Sequence, residues 1–233
     1  MIRWIAFDAD DTLWENEKYY HQGQVQLAAL LAPYQPAEVV EATLLQIETG
    51  NLPWYGYGIK SFGLSMIETA IQLSHGEVGS IEINTILRHL RNMLEQPAEL
   101  LPGVLETIEI LKNDFRLMVI TKGDLLDQER KLTNSKMEKY FEAYEVVSDK
   151  LDETYARILS RHDIQPKEFL MVGNSLRSDI LPVVKIGAYG VYIPHSFTWA
   201  HEQVIGTSSH NDGYYQIESF DELPGVIAKI KSL

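Results

Sequence analysis

Short apolar runs open the chain and then recur through its second half. Residues 2–7 read as a buried strand that breaks abruptly into Asp8-Ala9-Asp10-Asp11-Thr12. Similar runs stand at 115–120, 144–147, 169–172 and 189–193, with a last short strand at 215–218. Between them the apolar positions take a helical period. In 152–162, Tyr155, Ile158, Leu159 and His162 fall on one face at i, i+3, i+4, i+7. Segments 103–112, 125–131, 178–186 and 221–231 read as further helices, with Gly187 as a stop for the third of these. Short apolar strands alternating with helices predict βαβ units and a parallel sheet covered on both faces.

Residues 16–100 break that alternation. Segments 25–32, 36–47, 62–74 and 80–94 read as four helices with no strand among them, and Ile83, Ile86, Leu87, Leu90 and Leu94 form an apolar stripe on the last. The expected architecture is an α/β doubly wound parallel sheet, built from residues 1–15 and 101–233, with a mostly helical segment, 16–100, inserted after the first strand. Segment 195–214 is polar and reads as a long loop.

Composition narrows the class. The 233 residues are 45% hydrophobic and 23% charged, as in an ordinary globular protein. The 20 Lys and Arg against 33 Asp and Glu leave a net charge of -13, which opposes binding to nucleic-acid backbones. A local pocket still suits a small anionic substrate. With no cysteine, disulfides, thiolate metal sites and a thiol nucleophile are excluded. Arg3 is the one basic residue before Asp8, unlike a signal peptide, and no run has the length of a membrane span. The expectation is a cytoplasmic protein with neither membrane nor nucleic-acid partners.

The strand ends carry the chemistry. In a parallel sheet ligands bind outside the carboxyl ends of the strands. The first strand ends in Asp8 and Asp10, the second in Thr121-Lys122-Gly123. The third is followed by Ser148-Asp149-Lys150, and the fourth by Gly173-Asn174-Ser175 with Asp179 just beyond. Two carboxylates directly after a buried strand are costly without a cation, which weighs against their being mere turn caps. The set suits phosphoryl transfer: a carboxylate attacks phosphorus, and hard oxygens from Asp8 and Asp179 bind Mg²⁺. Thr121, Lys150 and loop amides stabilise charge on the transferring oxygens, and Asp10 passes a proton to the leaving oxygen.

These motifs resemble the haloacid dehalogenase-like hydrolase superfamily. Its Asp-x-Asp-x-Thr motif stands here as Asp8-Ala9-Asp10-Asp11-Thr12, its strand-ending Thr as Thr121, its lysine as Lys150, and its Gly-Asp with a later Asp as Gly173-Asn174 and Asp179. The resemblance implies Asp8 as nucleophile and Asp10 as acid and base. It further implies Thr121, Lys122 and Lys150 on the phosphoryl group, and Mg²⁺ held by Asp8, Asp179 and the Asp10 carbonyl oxygen. It places a cap in the 16–100 insertion. Asp10 favours phosphate chemistry, because dehalogenating members lack aspartate there. Asn174 departs from the aspartate of many members and is expected behind the metal rather than on it.

The expected activity is a Mg²⁺-dependent phosphatase acting on a small phosphorylated metabolite through an aspartyl phosphate. A phosphotransferase or mutase using the same intermediate, and a binding protein on the same scaffold, stay open. Trp54, Tyr55 and Tyr57, with Gly56, Gly58 and Lys60, stand in the central loop of the insertion, either as a substrate lid or as packing between helices. Trp14, Glu15 and Asn16 are candidates for the pocket wall or hinge. Asp11 reads as structural or exposed rather than catalytic. His195, His201 and His210 match no zinc-site spacing.

Overall fold

The structure is a computed structural model and describes residues 1–195 and 213–232. Its strands are β1 (Trp4–Phe7), β2 (Arg116–Lys122), β3 (Ala143–Val147), β4 (Phe169–Gly173), β5 (Tyr189–Tyr192) and β6 (Tyr214–Gln216). They form one sheet in the order β3-β2-β1-β4-β5-β6 with every pair parallel.

Burial on both faces explains the unbroken apolar runs. In β1, Ile5 and Phe7 join one core while Trp4 and Ala6 join the other. Leu117 and Val119 against Met118 and Ile120 repeat the division in β2, and Leu170 and Val172 against Phe169 and Met171 repeat it in β4. The first core is completed by α5 (Val104–Leu111), through Val104, Ile108 and Leu111, and by α9 (Leu223–Lys231), through Val226, Ile227 and Ile230. The second is covered by α7 (Asp152–Arg161), through Tyr155, Ile158 and Leu159. The doubly wound α/β fold expected from the hydrophobic pattern is the fold observed.

The chain divides into two compact units. One comprises Met1–Glu17, Ala98–Lys122 and Arg130–Leu233, and the other Lys18–Pro97 and Gly123–Glu129. Helices α1 (Glu17–Leu31), α2 (Ala37–Tyr55), α3 (Ile59–Leu73) and α4 (Ser80–Leu94) enclose a separate core around Leu27, Leu31, Leu44, Phe62, Met66 and Ile86. Gly63 lets α3 and α4 approach, since a β-carbon there would lie 2.2 Å from Leu90 Cδ1.

Several boundaries differ from the sequence reading. α2 runs on to Tyr55 although Gly50, Asn51 and Pro53 disfavour helix, and it stops where Gly56 turns to φ 68°. Trp54 and Tyr55 therefore sit in its last turn, and Lys60 in the first turn of α3, rather than in a loop. α6 (Leu125–Ser135) is a turn longer than expected and ends at Lys136, which takes φ 60°. The helix expected at 178–186 divides into a π-helical turn, Leu176–Ile180, and α8 (Leu181–Lys185). Pro182 supplies no N–H to a continuous ladder but suits the first turn of a new helix. Among the described residues no helix is long and apolar enough to cross a membrane.

Candidate active site

The strand order reverses beside β1: the chain steps outward through β2 and β3, then returns to β4 on the other side. Such a switch point opens a crevice beyond the carboxyl ends of the two flanking strands. The ends here are Asp8 after β1 and Gly173-Asn174 after β4, and the Asp8 N–H still donates to Val172 O at 2.9 Å. Topology therefore delivers these groups to one place.

The centre of the site is a lysine between two carboxylates. Lys150 Nζ donates to Asp8 Oδ1 and, at 2.7 Å, to Asp179 Oδ1. The side chains of Lys150 and Asp179 are each 1% exposed, so these charges interact largely out of water. Burial pushes the Asp8 carboxyl up to about 7; the ammonium of Lys150 opposes that rise and the carboxylate of Asp179 adds to it. Burial acts against the charge of Lys150, but Asp179 and Asp8 together outweigh it and hold the lysine above its ordinary value. One cation thus offsets part of two anionic charges.

Two turns hold the carboxylates. Asp179 lies in the π-helical turn after β4, where Ser175 N–H donates to its Oδ2 at 3.0 Å and Ser175 Oγ accepts from Ser178 N–H at 3.0 Å. On the other side, Thr12 Oγ1 is 3.2 Å from both Asp8 Oδ2 and Asn174 Oδ1, and it accepts the Asn174 N–H at 3.1 Å. Thr12 thereby ties the loop after β1 to the end of β4. Asn174 stands behind Asp8, linked to it through that hydroxyl.

Asp10 is held separately. Its Oδ1 accepts from Trp14 Nε1 at 2.8 Å and from Lys131 Nζ at 2.9 Å. Trp14, expected in the pocket wall or hinge, is wholly buried in the sheet's core and its indole N–H donates to Asp10. Asp11, at φ 60°, turns its buried carboxylate onto the N–H groups of Asn16 and Glu17, each at 2.9 Å from Oδ1. It caps the entry to α1, which explains why that helix begins well before residue 25.

The remaining expected residues are placed as follows. Thr121 is buried at the end of β2 with its hydroxyl 3.3 Å from the Lys122 carbonyl oxygen, and Lys122 Nζ donates to Ser178 Oγ at 2.9 Å. Within the helical unit Lys60 pairs with Asp124 at 2.9 Å, Trp54 is 81% exposed and Tyr57 is half-buried. Asp11, Glu15 and His195 bring one ligating atom each within 4.8 Å of one another, a grouping the sequence reading does not anticipate. His201 and His210 lie outside the described residues.

The chain is similar over most of its length to known hydrolases. The family model for haloacid dehalogenase-like hydrolases matches residues 2–187. The crystal structure of a haloacid dehalogenase-like family hydrolase from Xanthomonas campestris superposes with a TM-score of 0.88 at 35% identity, covering 99% of this chain and 92% of that one. Human N-acylneuraminate-9-phosphatase is 22% identical over 241 residues, or 98% of this chain and 95% of its own. A 2-haloacid dehalogenase from Pseudomonas syringae shares the fold, with a TM-score of 0.65 at 21% identity over 98% of this chain and 99% of its own.

Proposed function

We propose that this chain, which belongs to the haloacid dehalogenase-like hydrolase family, is a phosphatase that releases inorganic phosphate from a small phosphorylated metabolite by way of phospho-Asp8. The observation that carries this reading is the pairing of two aspartates in different settings. Asp8 is bonded to Lys150, and Asp10, two residues on, is anchored by Trp14 and Lys131. One suits attack and the other suits proton transfer. The human relative named as a phosphatase supports phosphate chemistry, as does an aspartate at position 10.

The donor set fits Mg²⁺. Asp8 and Asp179 converge closely enough to share one ammonium, and their oxygens are hard ligands of the kind this ion selects. Asp8, Asp179 and the Asp10 carbonyl oxygen would hold it, and when bound it supplies positive charge that offsets repulsion between a carboxylate nucleophile and an anionic substrate.

In the first step a carboxylate oxygen of Asp8 bonds to phosphorus as the P–O bond to the leaving group breaks. Asp10 donates its proton to the departing oxygen, giving an alcohol. In the second step Asp10, now ionised, takes a proton from water as that water attacks the phosphorus of phospho-Asp8. Phosphate leaves and the Asp8 carboxylate is restored. Lys150 favours the ionised nucleophile and stabilises charge on the phosphoryl oxygens, with Thr121.

The reading is tested by phosphate release from a panel of sugar phosphates, nucleotides and phosphoglycolate, with Mg²⁺ and with chelator. Metal-dependent release from at least one compound is expected. Halide release from a haloacid with no phosphate release from any compound would overturn it.

A further inference from the structure

We infer that Lys131 is a positioning residue for Asp10, fixing the proton donor of the first step; this rests on the phosphatase reading above. Lys131 lies in the second half of α6 and belongs to none of the sequence motifs. Its side chain is 13% exposed, and Nζ sits 2.9 Å from Asp10 Oδ1 and 2.7 Å from Asn16 Oδ1. It therefore spans the loop after β1, holding one residue from its start and another from its end.

The geometry at Asp10 shows what that contact does. Oδ1 receives two donors from separate elements, the Lys131 ammonium on α6 and the indole N–H of Trp14. Trp14 is immobilised in the sheet's core, and its backbone bridges to both Asp10 and Leu100. Swinging the Asp10 carboxyl group away from this position costs both bonds. An acid that must meet a departing oxygen gains from such fixation, because small misplacements of a reacting group are costly in rate. Lys131 and Trp14 act through Asp10 and touch no reacting atom in this scheme.

A mere tether between α6 and the loop would slow every substrate alike. A residue that positions the proton donor matters in proportion to how much the leaving group needs that proton. The experiment compares kcat/KM for p-nitrophenyl phosphate, whose leaving group departs unaided, with that for an alkyl phosphate, whose leaving group does not. kcat/KM is read because it reports the step that forms phospho-Asp8 and excludes the later hydrolysis.

For Lys131→Met with Mg²⁺ present, the alkyl phosphate value is expected to fall about 100-fold, the lower end of general-acid contributions, and the p-nitrophenyl phosphate value less than about threefold. Trp14→Phe keeps an aromatic side chain in the core but removes the N–H together with part of the indole ring, so it should show the same selectivity more weakly, alongside a loss of stability that falls on both substrates alike. Equal falls on both substrates in both variants, or no fall on either, would overturn the positioning role. The alkyl phosphate is one that releases phosphate in the panel above; halide release from a haloacid with no phosphate release from any compound of that panel would instead overturn the phosphatase reading itself, and this inference with it.

Discussion

Gly173 and Asp179 are packed so closely that no side chain fits between them: a β-carbon on Gly173 would lie 2.3 Å from Asp179 Oδ2. The missing side chain is what lets the π-helical turn fold Asp179 back over the end of β4 to meet Lys150. Gly173→Ala must therefore displace Asp179 or the strand end. We expect a folded protein with activity reduced about 100-fold or more, the usual effect of roughly 1 Å of misplacement in a catalytic group. Circular dichroism alongside phosphate release checks this, and wild-type turnover in a folded Gly173→Ala protein would refute it.

Thr12 carries a structural prediction. Its hydroxyl serves Asp8, Asn174 Oδ1 and the Asn174 N–H together. Thr12→Val keeps the shape and leaves these polar groups short of a partner, at a cost of about 1–3 kcal/mol. Denaturant unfolding should register that loss, while Thr12→Ser should recover most of it.

Asn174 is joined to Asp8 through Thr12, and its amide oxygen is the group that faces that hydroxyl. An aspartate there preserves the acceptor and adds a negative charge near Asp8 and Asp179. Asn174→Asp should therefore lower the Mg²⁺ concentration giving half-maximal activity. An unchanged Mg²⁺ titration would assign Asn174 to holding the strand end alone.

Much of this site is legible in the residues, and what is not has an identifiable physical reason. Asp8, Lys150 and Asp179 each follow a strand end, and topology alone brings strand ends together. Thr12 stands inside the first motif, yet its bridge to Asn174 spans 162 residues and leaves no local trace. Lys131 is 121 residues from Asp10 and, beside Arg130, looks like one more basic residue on a helix face. Trp14 directly follows the first motif, which suggests the pocket wall or hinge; that its indole N–H donates to Asp10 is visible only in the folded chain. In α2, Gly50 and Pro53 set the expected end too early; the helix continues past them, with Asn51 donating to Ser65 Oγ and Glu68 Oε2 on α3, contacts that leave no local trace in the sequence.

A pH prediction comes from the helical unit. Glu48 Oε2 is buried without a hydrogen-bond partner among the described residues, and burial pushes its carboxyl from 4.5 up to about 7. Between those values the native state binds more protons at this residue than the unfolded chain, so stability falls as pH rises through the window. Glu48→Gln removes the ionisation. It should stabilise the protein by roughly 2 kcal/mol at pH 8 and by little near pH 4.5. An equal effect at both pH values would contradict the assignment.

The central claim is that Asp8 takes the phosphoryl group. The most direct measurement is peptide mass analysis after rapid acid quench of enzyme turning over a phosphoester with Mg²⁺. A phosphoryl group on the peptide containing Asp8, absent with chelator and absent in Asp8→Asn, is the predicted result. Metal-dependent phosphate release that persists in a folded Asp8→Asn protein, with no modified peptide in the wild type, would contradict it.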